Sequence, residues 1–239
     1  MEEVWNNNIN QVNAESEVNA FFNSVFSYMF LALATSGFVS WYLASSGLFF
    51  KWFVNFETGG ISPLFYVVMF SPLALVFFIQ AKYQKYSLPT IIGLYILYSV
   101  LIGASLSSIF FVYSLGQLAS TFLITAGAFG AMALLGYTTS VDLSKMGSLL
   151  YMVFIGIFLA AIVNFFLGSE PLAYLISIIG VFVFTGLTAW EMQKLKAVAL
   201  DPAYQGEDRK KRSLIGGLML YILFVNLFMS LLHLLGGRD

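Results

Sequence analysis

FTGLTAWEMQKLK, residues 184–196, closes a run of nearly pure hydrocarbon-soluble residues on a carboxylate, Glu191, and then turns basic. An ionised side chain within or at the edge of a bilayer costs several kcal/mol unless it snorkels, pairs or protonates, so an acid in this position is a functional candidate by default. The stretch therefore reads as the end of a membrane span with a working residue on it. The whole chain agrees: 59% of its residues are hydrophobic, only 10% are charged, and the mean hydropathy is +0.86. That is far more apolar than the average usage of a soluble domain, and it defines an all-α integral membrane protein.

The same composition excludes several classes. Without cysteine there is no disulfide, thiolate metal site or cysteine nucleophile. A net charge of −1, with basic residues concentrated in one loop, gives no surface for nucleic acid. No GxSxG elbow, His-Glu-x-x-His pair or paired intramembrane aspartates occur, so an enzyme is not expected, and no cofactor is implied.

Outward from the opening stretch, six further apolar runs are long enough to cross a core of about 30 Å at ~1.5 Å per residue. Residues 1–20 are polar and acidic, carry no Lys or Arg, and lack the positive n-region and short apolar run of a cleaved signal; they read as a cytoplasmic tail retained on the chain. Residues 21–239 read as one seven-span domain. The first span is Phe21–Ser45. After a loop with Lys51, Glu57 and Gly59-Gly60, Ser62-Pro63 has the form of an N-cap followed by proline at the first helical position. The second span, Pro63–Ala81, holds Pro72 mid-helix, where a freed carbonyl must find another donor. The third opens at Ser87–Pro89, runs to about Tyr113, and carries Ser99, Gly103 and Ser107 at intervals of four, a small-residue face for close helix packing. Gln117–Tyr137 is the fourth span, and GYTTSVDLSKMG (Gly136–Gly147) is the turn to the fifth, with Asp142 placed to cap it. The fifth ends near Gly168 and contains Asn164, the sixth runs from Pro171 to Glu191, and the seventh is Ser213–Leu235, after a polar loop over Leu195–Arg212. Runs of this length leave no room for the ten-residue alternating strands of a barrel.

Nine of the eleven Lys and Arg residues fall in the loops after spans two, four and six: Lys82, Lys85, Lys145, Lys194, Lys196 and residues 209–212. Only Lys51 and Arg238 lie on the other side. Since cytoplasmic loops keep the positive excess, the N-terminus is expected in the cytoplasm and the C-terminus outside. The run 209–212 reads mainly as this topology signal, with anionic lipid headgroups as its other possible use. On the last span Leu223, Asn226, Ser230 and His233 share one helical stripe, and a polar stripe in a membrane helix looks inward. His233 is the chain's one histidine and could titrate near neutral pH.

Three motifs, GYTTSVDLSKMGSLL, TGLTAWEMQKLK and LYILFVNLFMSLLHLLG (Leu220–Gly236), together resemble the Bax-inhibitor family of seven-span membrane proteins in its bacterial branch. The resemblance implies six helices around a central seventh, a bacterial inner-membrane location, and a pH-sensitive calcium leak. It attributes that leak to two acids facing each other near the cytoplasmic ends of spans six and seven, with a basic latch at the end of span two. Carried over residue by residue, the span-six acid is Glu191, the position of the span-seven acid holds Leu223, and the latch would be Lys85 or Lys82. The acidic pair is therefore broken. Two carboxylates sharing a low-dielectric site titrate as a coupled pair; a lone Glu191 lacks that coupling and offers one carboxylate where Ca²⁺ prefers six to eight oxygens. The expectation is a leak that is weak or altered in its pH dependence, with Glu191, Asn226 and Ser230 on the pH-sensing path. The alternative is a regulatory protein without transport of its own. Some bacterial relatives are linked to a membrane-anchored quality-control protease, and residues 1–20 would serve as the handle such a protease engages.

Overall fold

The structure, a computed structural model, describes residues 2–56 and 59–236, with backbone only for 2–15. Glu57 and Arg238, used above in the loop and topology readings, lie outside the described residues, as do the side chains of Glu2, Glu3 and Glu15. Among the described residues there are eight α-helices: α1 Glu2–Ser45, α2 Leu48–Phe53, α3 Pro63–Lys82, α4 Leu88–Leu106, α5 Leu115–Thr138, α6 Ser144–Leu167, α7 Glu170–Leu200 and α8 Gly206–Leu235. All but α2 are long and apolar enough to span a membrane. The all-α membrane fold is thus borne out. The only strands among the described residues are a two-residue antiparallel pair, β1 (Val54–Asn55) with β2 (Gly60–Ile61).

Helix ends depart from the hydropathy reading where helices outrun their apolar stretch. Helix α7 continues nine residues past Glu191, and α8 starts at Gly206, so the polar loop expected over 195–212 shrinks to 201–205. The reason is local: Glu207 pairs with Lys211 and Asp208 with Arg212 one turn apart, and acids in the first turn suit the helix dipole. Asp201-Pro202 ends α7, because proline disfavours helical backbone in the residue before it. Similarly, α5 begins at Leu115 through a full capping box between Ser114 and Gln117. The polar segment read as a tail belongs, by its backbone, to α1.

The chain packs as two compact units, Met1–Val112 with Pro202–Leu218, and Tyr113–Asp201 with Met219–Asp239. In the first unit α4 lies on α1, and the small-residue face does what its spacing predicts. A Cβ on Gly103 would sit 2.5 Å from the Ser36 carbonyl oxygen of α1, while Ser99 and Ser107 are almost fully buried. Ser62 and Pro63 take the expected N-cap and N1 places, although the Ser62 hydroxyl donates to the Trp52 carbonyl (2.9 Å) rather than to the helix. Pro72 is buried within α3. Its missing N–H would have served the Val68 carbonyl, which instead accepts the hydroxyls of Ser71 (3.0 Å) and Ser105 on α4 (3.3 Å). We expect Ser105→Ala to lower stability by about 0.5–1.5 kcal/mol and Ser108→Ala by less; thermal melting in detergent checks this.

In the second unit α7 packs on both α5 and α6. Among the spans, α8 has the most buried apolar stretch, at 50%, and α6 the least, at 0%.

Candidate functional site

The segment 184–196 and the turn 136–147 meet in the second unit, and glycine makes the meeting possible. A Cβ on Gly136 would lie 2.0 Å from the Ala189 carbonyl oxygen, and one on Gly147 2.3 Å from the Trp190 ring. The two glycines that bracket the turn thus seat the two residues immediately before Glu191. Gln193 then ties the turn down. Its side-chain oxygen accepts the Leu143 N–H at 2.8 Å, and its side-chain nitrogen donates to the Val141 carbonyl at 2.7 Å. Lys196 donates to the Tyr137 carbonyl at 2.8 Å and lies over that residue's ring. Asp142 stands one residue before the N-cap position, accepting the Ser144 N–H at 2.9 Å, so it satisfies a first-turn donor from just outside the helix. The Ser144 hydroxyl and N–H hold the Asp142 carboxyl below the usual aspartate range.

Within this frame Glu191 is 3% exposed, and the Lys194 ammonium reaches both of its oxygens, at 2.9 and 3.2 Å. The i,i+3 spacing places the two on one helix face. The Lys194 side chain is half exposed and its ammonium also lies 5.3 Å from the centre of the Trp190 ring. A carboxylate this deep needs a counter-charge; Lys194 provides it and keeps its own route outward. The site is a buried acid held by a half-exposed base one turn along α7. Lys82 and Lys85, the latch candidates, belong to the first unit; Lys82 lies over the Phe78 ring and Lys85 is exposed. Leu223, where a second acid is expected, is a buried apolar residue of the second unit.

The polar stripe of α8 does look inward. Asn226, Ser230 and His233 line a cavity of about 390 Å³ in the second unit, joined by Asn164 of α6 and Ser177 of α7. The stripe on α8 was legible in the sequence, whereas its partners were not, because nothing in the spacing tells which faces of α6 and α7 meet it. Gly180 adds a local signal after the fact: a Cβ there would sit 2.6 Å from the Ser230 hydroxyl. Glu191 is not among the residues lining this cavity, so the structure brings Asn226 and Ser230 together but leaves Glu191 in a separate environment. No three His, Asp or Glu side chains gather as a metal site among the described residues.

The basic run 209–212 belongs to the first unit and is largely matched by acids. Arg209 meets Glu17 at 3.1 Å, Lys211 meets Glu207 at 3.0 Å, and Arg212 meets Asp208 at 3.2 Å. Arg212 also stacks over the Tyr204 ring.

Fold and site define a seven-span helical membrane protein with one buried, lysine-held carboxylate near the end of its sixth span. The chain belongs to the Bax-inhibitor family: residues 18–239 match the family described as "Inhibitor of apoptosis-promoting Bax1". It is 41% identical over 228 residues to the "Inner membrane protein YbhL" of Escherichia coli (strain K12), with 95% of each chain covered. It is also 42% identical over 177 residues to an "Uncharacterized protein" of Borreliella burgdorferi, covering 74% of this chain and 76% of that one. A Rickettsia prowazekii protein, "Uncharacterized protein RP147", is 36% identical over 214 residues, 90% and 88% of the two chains.

Proposed function

We propose that this chain is a bacterial inner-membrane protein, N-terminus in the cytoplasm, that passes a weak, pH-dependent cation leak gated by the Glu191–Lys194 pair. The inner-membrane placement draws on the name of the Escherichia coli relative, and the orientation on the distribution of Lys and Arg. The observation that carries the reading is a carboxylate 3% exposed whose two oxygens are both held by one half-exposed lysine. Protonating that carboxylate removes the ion pair, and the lysine, already half in solvent, swings away. Deprotonation restores both the charge and the contact. A single carboxylate with a neutralising lysine is a poor binding site for a divalent cation that favours several charged oxygens, which is why the leak is weak. No catalytic step and no cofactor enter; Ca²⁺ is the permeating ion that the reading proposes.

The test is to supply the missing acid. Leu223→Asp places a carboxylate at the buried position on α8 and gives the second unit a second buried acid. Ca²⁺ flux into dye-loaded proteoliposomes is expected to rise and to steepen with pH relative to the wild type. Unchanged flux from a folded Leu223→Asp protein contradicts the reading.

A further inference from the structure

The cavity lined by Asn226, Ser230 and His233 begins where three helices end. Asn164 is three residues from the end of α6, Ala173 three from the start of α7, and His233 two from the end of α8. From that level the cavity runs inward. Asn226 is seven residues from His233, Phe154 ten from Asn164 and Phe184 eleven from Ala173. At ~1.5 Å per residue these spans are ~10–16 Å, about half of a hydrocarbon core of ~30 Å. At the inner end the rings of Phe154 and Phe184 meet edge to face with their centres 5.9 Å apart. Glu191 lies seven residues further along α7, ~10 Å deeper. The cavity therefore occupies the half of the span away from the acid.

Its polar groups both donate and accept. Asn226 gives one N–H to the Ile222 carbonyl at 2.8 Å, and its other N–H and its side-chain oxygen bond no other described residue. Asn164 accepts the Ser169 N–H at 3.1 Å, and its own two N–H groups have no partner among the described residues. The Ser230 hydroxyl has none there either, while Ser177 donates to the Ala173 carbonyl at 2.9 Å and keeps its oxygen as an acceptor. Polar groups left bare in hydrocarbon cost about 1–3 kcal/mol each or more. A lipid tail brings neither donor nor acceptor to this depth; water brings both. A volume of about 390 Å³ holds on the order of ten water molecules. No Asp, Glu, Lys or Arg lines it among the described residues, so it carries no fixed charge that would trap an ion or expel one. We infer that this cavity is a water-filled vestibule, open at the membrane face away from Glu191, through which the cation of the proposed leak reaches the middle of the membrane. The hydration stands on the cavity's own lining; only the cation's use of it rests on the leak reading.

The chain has no cysteine, so single cysteines report water access without further changes. The experiment adds a membrane-impermeant trimethylammonium methanethiosulfonate to one side of proteoliposomes carrying the full chain with Asn226→Cys, Ser230→Cys, Leu235→Cys or Ile124→Cys. Leu235→Cys, exposed at the end of α8, gives the fraction of molecules whose vestibule end faces the reagent. Ile124 is the control, exposed on α5 and nine residues in from its start, as Asn226 is nine from the end of α8. The thiolate is the reacting form, and apolar surroundings suppress it, so Ile124→Cys is expected to react roughly tenfold or more slowly than Asn226→Cys. The labelled fraction of Asn226→Cys and Ser230→Cys is expected to match that of Leu235→Cys, and Glu191→Gln should leave it unchanged. Ca²⁺ flux through labelled Ser230→Cys is expected to fall roughly threefold or more, since the reagent narrows the path and leaves a fixed positive charge in it. Asn226→Cys and Ser230→Cys reacting as slowly as Ile124→Cys would overturn the vestibule, and full labelling with undiminished Ca²⁺ flux would overturn its use by the cation. Liposomes that label as expected but carry no flux even with the wild type would refute the leak reading and uphold the vestibule. Should Asn226→Cys fail to fold, Ser230→Cys and Ser177→Cys decide.

Discussion

Gly136→Val is expected to be among the most damaging single substitutions in the second unit. The added Cβ would meet the Ala189 carbonyl oxygen at 2.0 Å, and the atom it strikes is backbone of a fully buried residue in a long helix, which cannot rotate away. Inserting side-chain atoms into a packed contact typically costs about 1–3 kcal/mol, and more when backbone must move; this case belongs at the top of that range or beyond. Gly130→Val, on the same helix, is the control, since a Cβ there meets nothing within 4 Å. In detergent, Gly136→Val should lower the melting midpoint markedly or abolish a monodisperse peak, while Gly130→Val should behave as wild type. Equal behaviour of the two variants contradicts the seating of α7 on this turn.

Lys194→Met is the second large effect. The methionine keeps much of the length and apolar contact with Trp190 but removes the only hydrogen-bond donor found on either Glu191 oxygen among the described residues. Removing one partner of a buried ion pair typically costs ~3–5 kcal/mol. Because Lys194 is half exposed, solvent screening reduces its share, and a loss of about 1–2 kcal/mol is expected. Lys194→Arg should restore most of the stability, since it returns the charge and the donors. Melting midpoints of the three proteins check this; a Lys194→Met midpoint equal to that of wild type, or a Lys194→Arg protein no more stable than Lys194→Met, would contradict the stabilising role of the pair.

Much of the architecture could be read from residues because lipid makes the rules strict. Seven apolar runs of spanning length read as membrane helices, and Pro72 announced a carbonyl that needed a donor, which Ser71 and Ser105 supply. Helix ends were harder, since hydropathy stops where the hydrocarbon does, while the α7 and α8 backbones continue through Lys194, Lys196, Glu207 and Asp208. The capping box at Ser114 and Gln117 was visible in the sequence as Ser-x-x-Gln and would have moved the start of α5 two residues earlier. Glu191 was legible through the cost of burying it, whereas Lys194 was read only as one of the cytoplasmic charges and its hold on Glu191 is seen in the structure. What local pattern cannot supply is the pairing of segments about fifty residues apart. That Gly136 and Gly147 meet Ala189 and Trp190, and that Gln193 holds both Val141 and Leu143, follows from how α5, α6 and α7 pack. The same holds for Asn164 and Ser177, unremarkable in their own helices and informative only beside Asn226 and Ser230.

The most direct test of the central claim is Ca²⁺ flux into dye-loaded proteoliposomes across pH ~5–8, comparing wild type with Glu191→Gln. The glutamine is the uncharged analogue of the protonated acid and cannot hold Lys194 by charge. The account predicts a small flux in the wild type that changes with pH, and a flux in Glu191→Gln that no longer does. A wild type indistinguishable from empty liposomes, or a Glu191→Gln profile that follows the wild type at every pH, would contradict it and favour a role exercised through protein contacts.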